Sequence, residues 1–190
     1  MDRRKALKNI GTGFGAIAVT PTVVSLFQSC QSAPSYAPAY FSSADFDKIS
    51  QLMELIIPPT DIPGAIELKL PEFTDGYIAA VWDKERQASF ADGWNAFLSA
   101  SAEISGKGVN QMNASDWDAV LAKYLKPGSE ISDAEKSAAA FASQLRSLTV
   151  NAFKTNEFIG ENVLAYAPVP GEQRGCVDLM EATGGKAWSL

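Results

Sequence analysis

Histidine, cysteine and paired carboxylates carry most of the chemistry that side chains do, and this chain is short of the first two. It has no histidine among its 190 residues. No Ser-His-Asp or Cys-His nucleophile pair can form. Histidine-ligated zinc, a facial triad and the C-x-x-C-H haem attachment are equally out of reach. The two cysteines, Cys30 and Cys176, lie 146 positions apart, so they cannot build a cysteine-rich metal or iron–sulfur site by themselves. The expectation is a chain with no catalytic, cofactor-binding or metal-binding residues of its own.

Cys176 ends the most informative stretch, FKTNEFIGENVLAYAPVPGEQRGC, from Phe153 to Cys176. The stretch begins as the end of a long helical pattern and makes a short second helical run, Glu157 to Tyr166. It then breaks at Pro168, Pro170 and Gly171, and closes on Gly175 and Cys176. Pro170-Gly171 is a turn dipeptide, because proline presets φ and glycine accepts a positive one. Three readings of the thiol stay open: a disulfide to a partner chain, a buried inert thiol, and a Cys30–Cys176 bridge. The Pro/Gly-rich surroundings favour exposure.

Carboxylates are plentiful near the front of the chain: Asp45, Asp47, Glu54, Asp61, Glu67, Glu72, Asp75 and Asp83. A close pair can do general acid/base work. Most of these fall on polar helix faces or near helix starts, where a solvated or dipole-favoured carboxylate is the simpler reading. Trp82, Trp94 and Trp117 lie on helical stripes and read as core. Trp188, near the C-terminus, is the exception: an apolar group that can dock into a partner or fold back.

The elements that must position these groups follow an address. Arg3-Arg4 opens a basic segment, and a weakly apolar, Gly- and Thr-rich run follows to Phe27. A charged start before an apolar run is an export signal, and paired arginines point to the twin-arginine (Tat) route. Leu26 to Cys30 resembles a lipobox, which makes Cys30 a candidate lipidation site. An uncleaved anchor is the alternative, since such a run can just span a bilayer. Residues 31–42, beginning QSAPSYAPAY, read as a flexible tether. Residues 43–190 read as one domain. The expected location is the bacterial periplasm or cell envelope, with the chain exported and held at the membrane.

The first thirty residues hold four of the 16 basic side chains and one of the 22 acidic ones, which leaves 12 against 21, net −9. Such a body repels phosphate backbones, so nucleic acid is excluded as a partner. Helices are expected from Ala44 to Ile57 with Ser43 as cap, and from Pro71 to Trp82 with Phe73, Tyr77, Ile78 and Val81 as apolar positions. A third runs from Asp83 to about Ile104, with Phe90, Trp94, Phe97 and Leu98 inward. A fourth is capped by Asn113 or Ser115 and ends near Tyr124. A capping box at Ser132 and Glu135 starts a fifth, ending near Lys154. Ala138 to Ala142 invites a close neighbour. No strand signal or internal repeat stands out. The fold class is all-α: an irregular bundle of about six helices with a Pro/Gly-rich C-terminal segment.

Three features together resemble the gluconate 2-dehydrogenase subunit 3 family. They are the twin-arginine leader, the stretch Ile56-Ile57-Pro58-Pro59-Thr60-Asp61-Ile62-Pro63-Gly64-Ala65, and the residues Thr155, Glu157, Gly160, Leu164, Tyr166, Pro170, Gly171, Gly175 and Cys176 in order. The resemblance covers roughly residues 44–190. It implies a small, cofactor-free, non-catalytic subunit of a membrane-associated sugar or sugar-acid dehydrogenase. Its implied partner is an FAD-dependent flavoprotein of the glucose–methanol–choline type, and a c-type cytochrome often forms a third subunit. The resemblance implies that the leader serves the flavoprotein too, and that Cys176 is a candidate for a disulfide to it. Candidate partner-contact residues are Pro63, Gly64 and Ala65, with Tyr166, Pro168, Pro170, Gly171 and Gly175. Two other functions remain open: a free-standing exported lipoprotein that binds a saccharide or envelope protein, and an enzyme using two carboxylates. The subunit reading predicts a neighbouring gene for a large oxidoreductase that has a G-x-G-x-x-G flavin fingerprint and no export signal.

Overall fold

The computed structural model describes residues 36–126, 128, 130–166, 171 and 175–189. The chain divides into two units, Met1–Ala37 and Pro38–Leu190, and the second holds all the helices among the described residues. Arg3, Arg4 and Cys30 lie outside the described residues, as do Pro168 and Pro170.

The body is all-α. Helix α1 spans Ser43–Ile56, α2 Leu70–Val81, α3 Lys84–Ser105, α4 Ala114–Leu125, α5 Lys136–Thr155 and the short α6 Leu179–Thr183. A π-helical turn, Ile159–Val163, follows α5. The run expected from Glu157 to Tyr166 therefore stops at Val163, where Leu164 turns extended. The reason is a backbone pairing with the C-terminal tail, described below.

Local chemistry sets most boundaries. Ser42, not Ser43, caps α1: its hydroxyl accepts from the Asp45 amide at 3.1 Å. The first turn begins there because the Phe46 amide already reaches the Ser42 carbonyl at 2.8 Å. Asp83 caps α3, and Gly106 ends it with a left-handed φ of 65°. Asn113 caps α4 and exchanges bonds with Asp116 in a capping box. The box at Ser132 and Glu135 is also present, but it starts a single 3₁₀ turn, Asp133–Glu135, before α5 begins. Lys123 pairs with Glu135 and so ties α4 to that turn. The bonds from Lys123 and Ser132 hold the Glu135 carboxyl down at about 2. Burial, with Glu135 beside it, pushes the Tyr124 phenol up to about 12.

The core is an aromatic stack on α3. Phe90, Trp94 and Phe97 all face Phe141 of α5, with ring centroids 4.9, 5.3 and 5.3 Å away. Phe97 also stacks on Trp117 of α4 at 6.3 Å. Burying each such ring contributes roughly 1.5–3 kcal/mol. Helices α3 and α5 approach closely at Gly93, where a Cβ would stand 3.3 Å from Phe141 Cβ. Ala138 and Ala142 are buried on the facing side, as their small size suggests. Trp82, Trp94 and Trp117 are core residues.

Helix α2 sits differently from expectation. Its buried stripe is Leu70, Pro71, Thr74, Asp75 and Ile78. Of the four apolar positions read from the sequence, only Ile78 points inward. Phe73, Tyr77 and Val81 are exposed.

Asp75 explains that orientation. Its side chain is fully buried, and its carboxylate accepts from three successive backbone amides: Ala39 at 2.6 Å, Tyr40 at 3.0 Å and Phe41 at 2.9 Å. Tyr40 and Phe41 then lay their rings beside Phe90. The Tyr40 hydroxyl donates to the Gln87 carbonyl at 2.7 Å. Gln87 itself donates from Nε2 to the carbonyls of Ile78 and Trp82, at 3.0 and 3.1 Å, and so closes the C-terminal end of α2. Residues 39–41, expected to be the end of the tether, are thus fixed on the body. Replacing Asp75 by Ala strands three amides whose desolvation costs about 1–3 kcal/mol each. We expect Asp75→Ala to lower the melting temperature by at least about 5 °C in a calorimetric or circular-dichroism melt.

Candidate functional site

The stretch Ile56 to Ala65 folds into a tight knot on the end of α1. The Ala65 amide donates to the Ile57 carbonyl at 3.0 Å, and the Thr60 amide to the Ile62 carbonyl at 3.0 Å. Glu54, one turn back in α1, accepts from the Ile66 amide at 2.7 Å. The knot closes where Gly64 passes Pro59. A Cβ on Gly64 would lie 2.8 Å from the Pro59 nitrogen and 2.6 Å from Glu54 Oε1. Glycine is therefore required for close approach, at an ordinary backbone angle. Gly64 and Ala65 are buried and Pro63 is half-buried. Gly64 and Ala65, candidate partner contacts, pack against this chain's own interior. The knot presents Ile66 to solvent instead.

The second stretch reaches the turn that follows the first. Asn156, at the end of α5, donates from Nδ2 to the Leu68 carbonyl at 3.1 Å. Its own carbonyl accepts from the Gly160 amide at 2.8 Å, which starts the π turn. Gly160 is buried, and a Cβ there would stand 3.3 Å from Ser189 Oγ. The tail is held against this turn by a parallel bridge. The Ala165 amide donates to the Ala187 carbonyl and the Ser189 amide to the Ala165 carbonyl, both at 2.8 Å. Lys186 adds a bond to the Asn162 carbonyl at 3.0 Å. The pairing holds Ala165 beside Ala187, Trp188 and Ser189.

Apolar groups of the described C-terminal residues stand in solvent. Tyr166, Val177, Leu179, Met180 and Trp188 are all exposed, Met180 at 66%. Gly171 takes a left-handed φ of 83°, which glycine accepts without strain. Cys176 is a free, exposed thiol, and Gly175 beside it is exposed.

A second exposed apolar face lies across α2 and α5. Phe73 and Tyr77 stack there with centroids 6.2 Å apart, and Val81 continues their row at 61% exposure. Phe73 and Tyr77 border a groove of about 250 Å³, completed by Leu148, Asn151 and Thr155 of α5 and by Arg86. The Arg86 guanidinium rests over the Trp82 ring, 4.1 Å from its centroid. Sequence reading missed this face because it turned Phe73, Tyr77 and Val81 inward. The available signal was the spacing of Leu70, Thr74 and Ile78, a competing stripe with a threonine inside it.

Among the described residues, no three His, Cys, Asp or Glu side chains are grouped to hold a metal ion. No described helix is long and apolar enough to cross a membrane. The arrangement offers surfaces: a knotted loop, an apolar tail and an aromatic groove on one folded support. Because the knot depends on Gly64, Gly64→Ala should destabilise the body by about 1–3 kcal/mol. In a urea titration its midpoint should fall with an unchanged slope.

The model of the family described as gluconate 2-dehydrogenase subunit 3 matches residues 43–171. The match contains the knot, the π turn and Gly171, and ends before Gly175 and Cys176. No curated protein and no solved structure matches the chain. With the family's model covering most of the helical body, the chain belongs to the gluconate 2-dehydrogenase subunit 3 family.

Proposed function

We propose that this chain is the small, non-catalytic subunit of an FAD-dependent sugar or sugar-acid dehydrogenase complex. It stabilises a flavoprotein of the glucose–methanol–choline type and escorts it through the twin-arginine route. FAD and the hydride chemistry reside in that partner, and a c-type cytochrome subunit takes the electrons onward. Arg3 and Arg4 supply the export signal for the pair, and a lipid on Cys30 holds the assembly at the membrane of the cell envelope. Cys176 forms a disulfide to the flavoprotein.

The observation that carries this reading is the pair of exposed apolar faces on a strongly acidic body. Monomeric proteins rarely leave rows such as Phe73, Tyr77 and Val81, or tails such as Val177 to Met180, open to water. A large partner supplies the missing cover. Division of labour follows from the chemistry. A chain without histidine has no ordinary proton shuttle near neutral pH, whereas a helical support needs none.

A second reading, a saccharide-binding lipoprotein, has one observation on its side: the stacked Phe73–Tyr77 pair beside Arg86 and Asn151 can hold a sugar ring.

Deleting this chain should leave the flavoprotein in the cytoplasm, reduced in amount. Replacing Arg3 and Arg4 together by lysine should instead retain a folded, FAD-loaded pair in the cytoplasm. Fractionation with dye-linked dehydrogenase activity reads both. A flavoprotein that reaches the envelope in normal amount without this chain contradicts the proposal.

A further inference from the structure

The α2–α5 groove has a shape and a charge that specify what fills it. Its volume, about 250 Å³, falls below the range of about 300–1,000 Å³ typical of small-molecule sites. An inserted side chain fits it better than a whole ligand does. Its walls are the exposed rings of Phe73 and Tyr77 and the side chain of Leu148. Its lining carries one charge, Arg86, and no carboxylate. The surrounding body from residue 31 onward is net −9, so this spot runs against the local field. Arg86 contacts the Trp82 ring from one side and forms no ion pair with a described carboxylate. The floor holds an unmet hydrogen bond as well: Thr74 is buried, and its hydroxyl has no partner among the described residues.

We propose that this groove is the docking site for a segment of the flavoprotein subunit that inserts an aliphatic or aromatic side chain between Phe73, Tyr77 and Leu148. The same segment sets an Asp or Glu carboxylate against Arg86. The inference rests on the subunit reading and adds which surface the partner occupies and what chemistry it brings. A second copy of this chain is the poorer occupant, since two bodies of net −9 repel each other. Tyrosine and arginine side by side at an apolar centre are the residue types that dominate binding energy at interfaces. Asn151 and Thr155 line the α5 edge, where they can bond the backbone of the inserted segment.

The test uses the full chain purified in complex with the flavoprotein. Arg86→Glu and Tyr77→Asp each should raise the dissociation constant by about tenfold or more. Amides of residues 73–81 and 148–155 should gain hydrogen-exchange protection in the wild-type complex. That second measurement needs no variant and decides the matter if a variant misfolds. A wild-type complex in which both variants bind normally and these amides stay unprotected overturns the groove assignment while leaving the subunit reading intact. Failure of the wild-type chain to bind any flavoprotein overturns the subunit reading, and the groove assignment falls with it.

Discussion

One buried carboxylate organises the N-terminal half of the body. Asp75 gathers the amides of Ala39, Tyr40 and Phe41, and a carboxylate taken out of water is tolerable only when so many donors meet it. With Asp75 turned inward, α2 is rotated so that Thr74 and Ile78 share the buried side with it. Tyr40 and Phe41 are drawn onto Phe90, and through Phe90 onto the aromatic stack that joins α3, α4 and α5. Gln87 secures the far end of α2 against the same group of side chains.

The same rotation leaves Phe73, Tyr77 and Val81 outside. An amphipathic helix can bury one stripe against its own fold. Here that stripe is partly polar and the more aromatic one faces solvent. The body buries a core of its own and still has an apolar face uncovered. At the other end, a bridge pairs Ala165 with Trp188, and Cys176, Val177, Leu179 and Met180, between them in the chain, are exposed. A folded body with uncovered apolar surface suits a subunit of a larger complex, and a family of dehydrogenase subunits is where this chain belongs.

What was legible in the sequence was local. The capping residues Asn113, Ser132 and Glu135 act within three or four positions, so their chemistry can be read without knowing the fold. The inward run on α3 has a clean helical period. The role of Asp75 was not legible, because its partners lie 34 to 36 positions away and nothing in the acid itself announces them. The burial of Gly64 and Ala65 is hidden for a related reason. Pro-Gly pairs usually mark surface turns, and only the reach of Glu54 back across Pro59 shows that this one is interior. Nothing in the sequence links the two family-like stretches, whereas the Asn156 bond to Leu68 ties the second to the turn just after the first. The exposure of Cys176 followed from its Pro/Gly surroundings, and what the thiol pairs with belongs to the proposal.

The account's central claim is that these surfaces are completed by a flavoprotein. The most direct measurement is recovery of the tagged chain from its native membrane without reductant, followed by mass spectrometry and an absorbance spectrum. The account predicts a co-purifying dehydrogenase with the yellow absorbance of bound FAD, released by reductant to the extent that Cys176 links the two. Recovery of the chain alone, with no flavin, would contradict it.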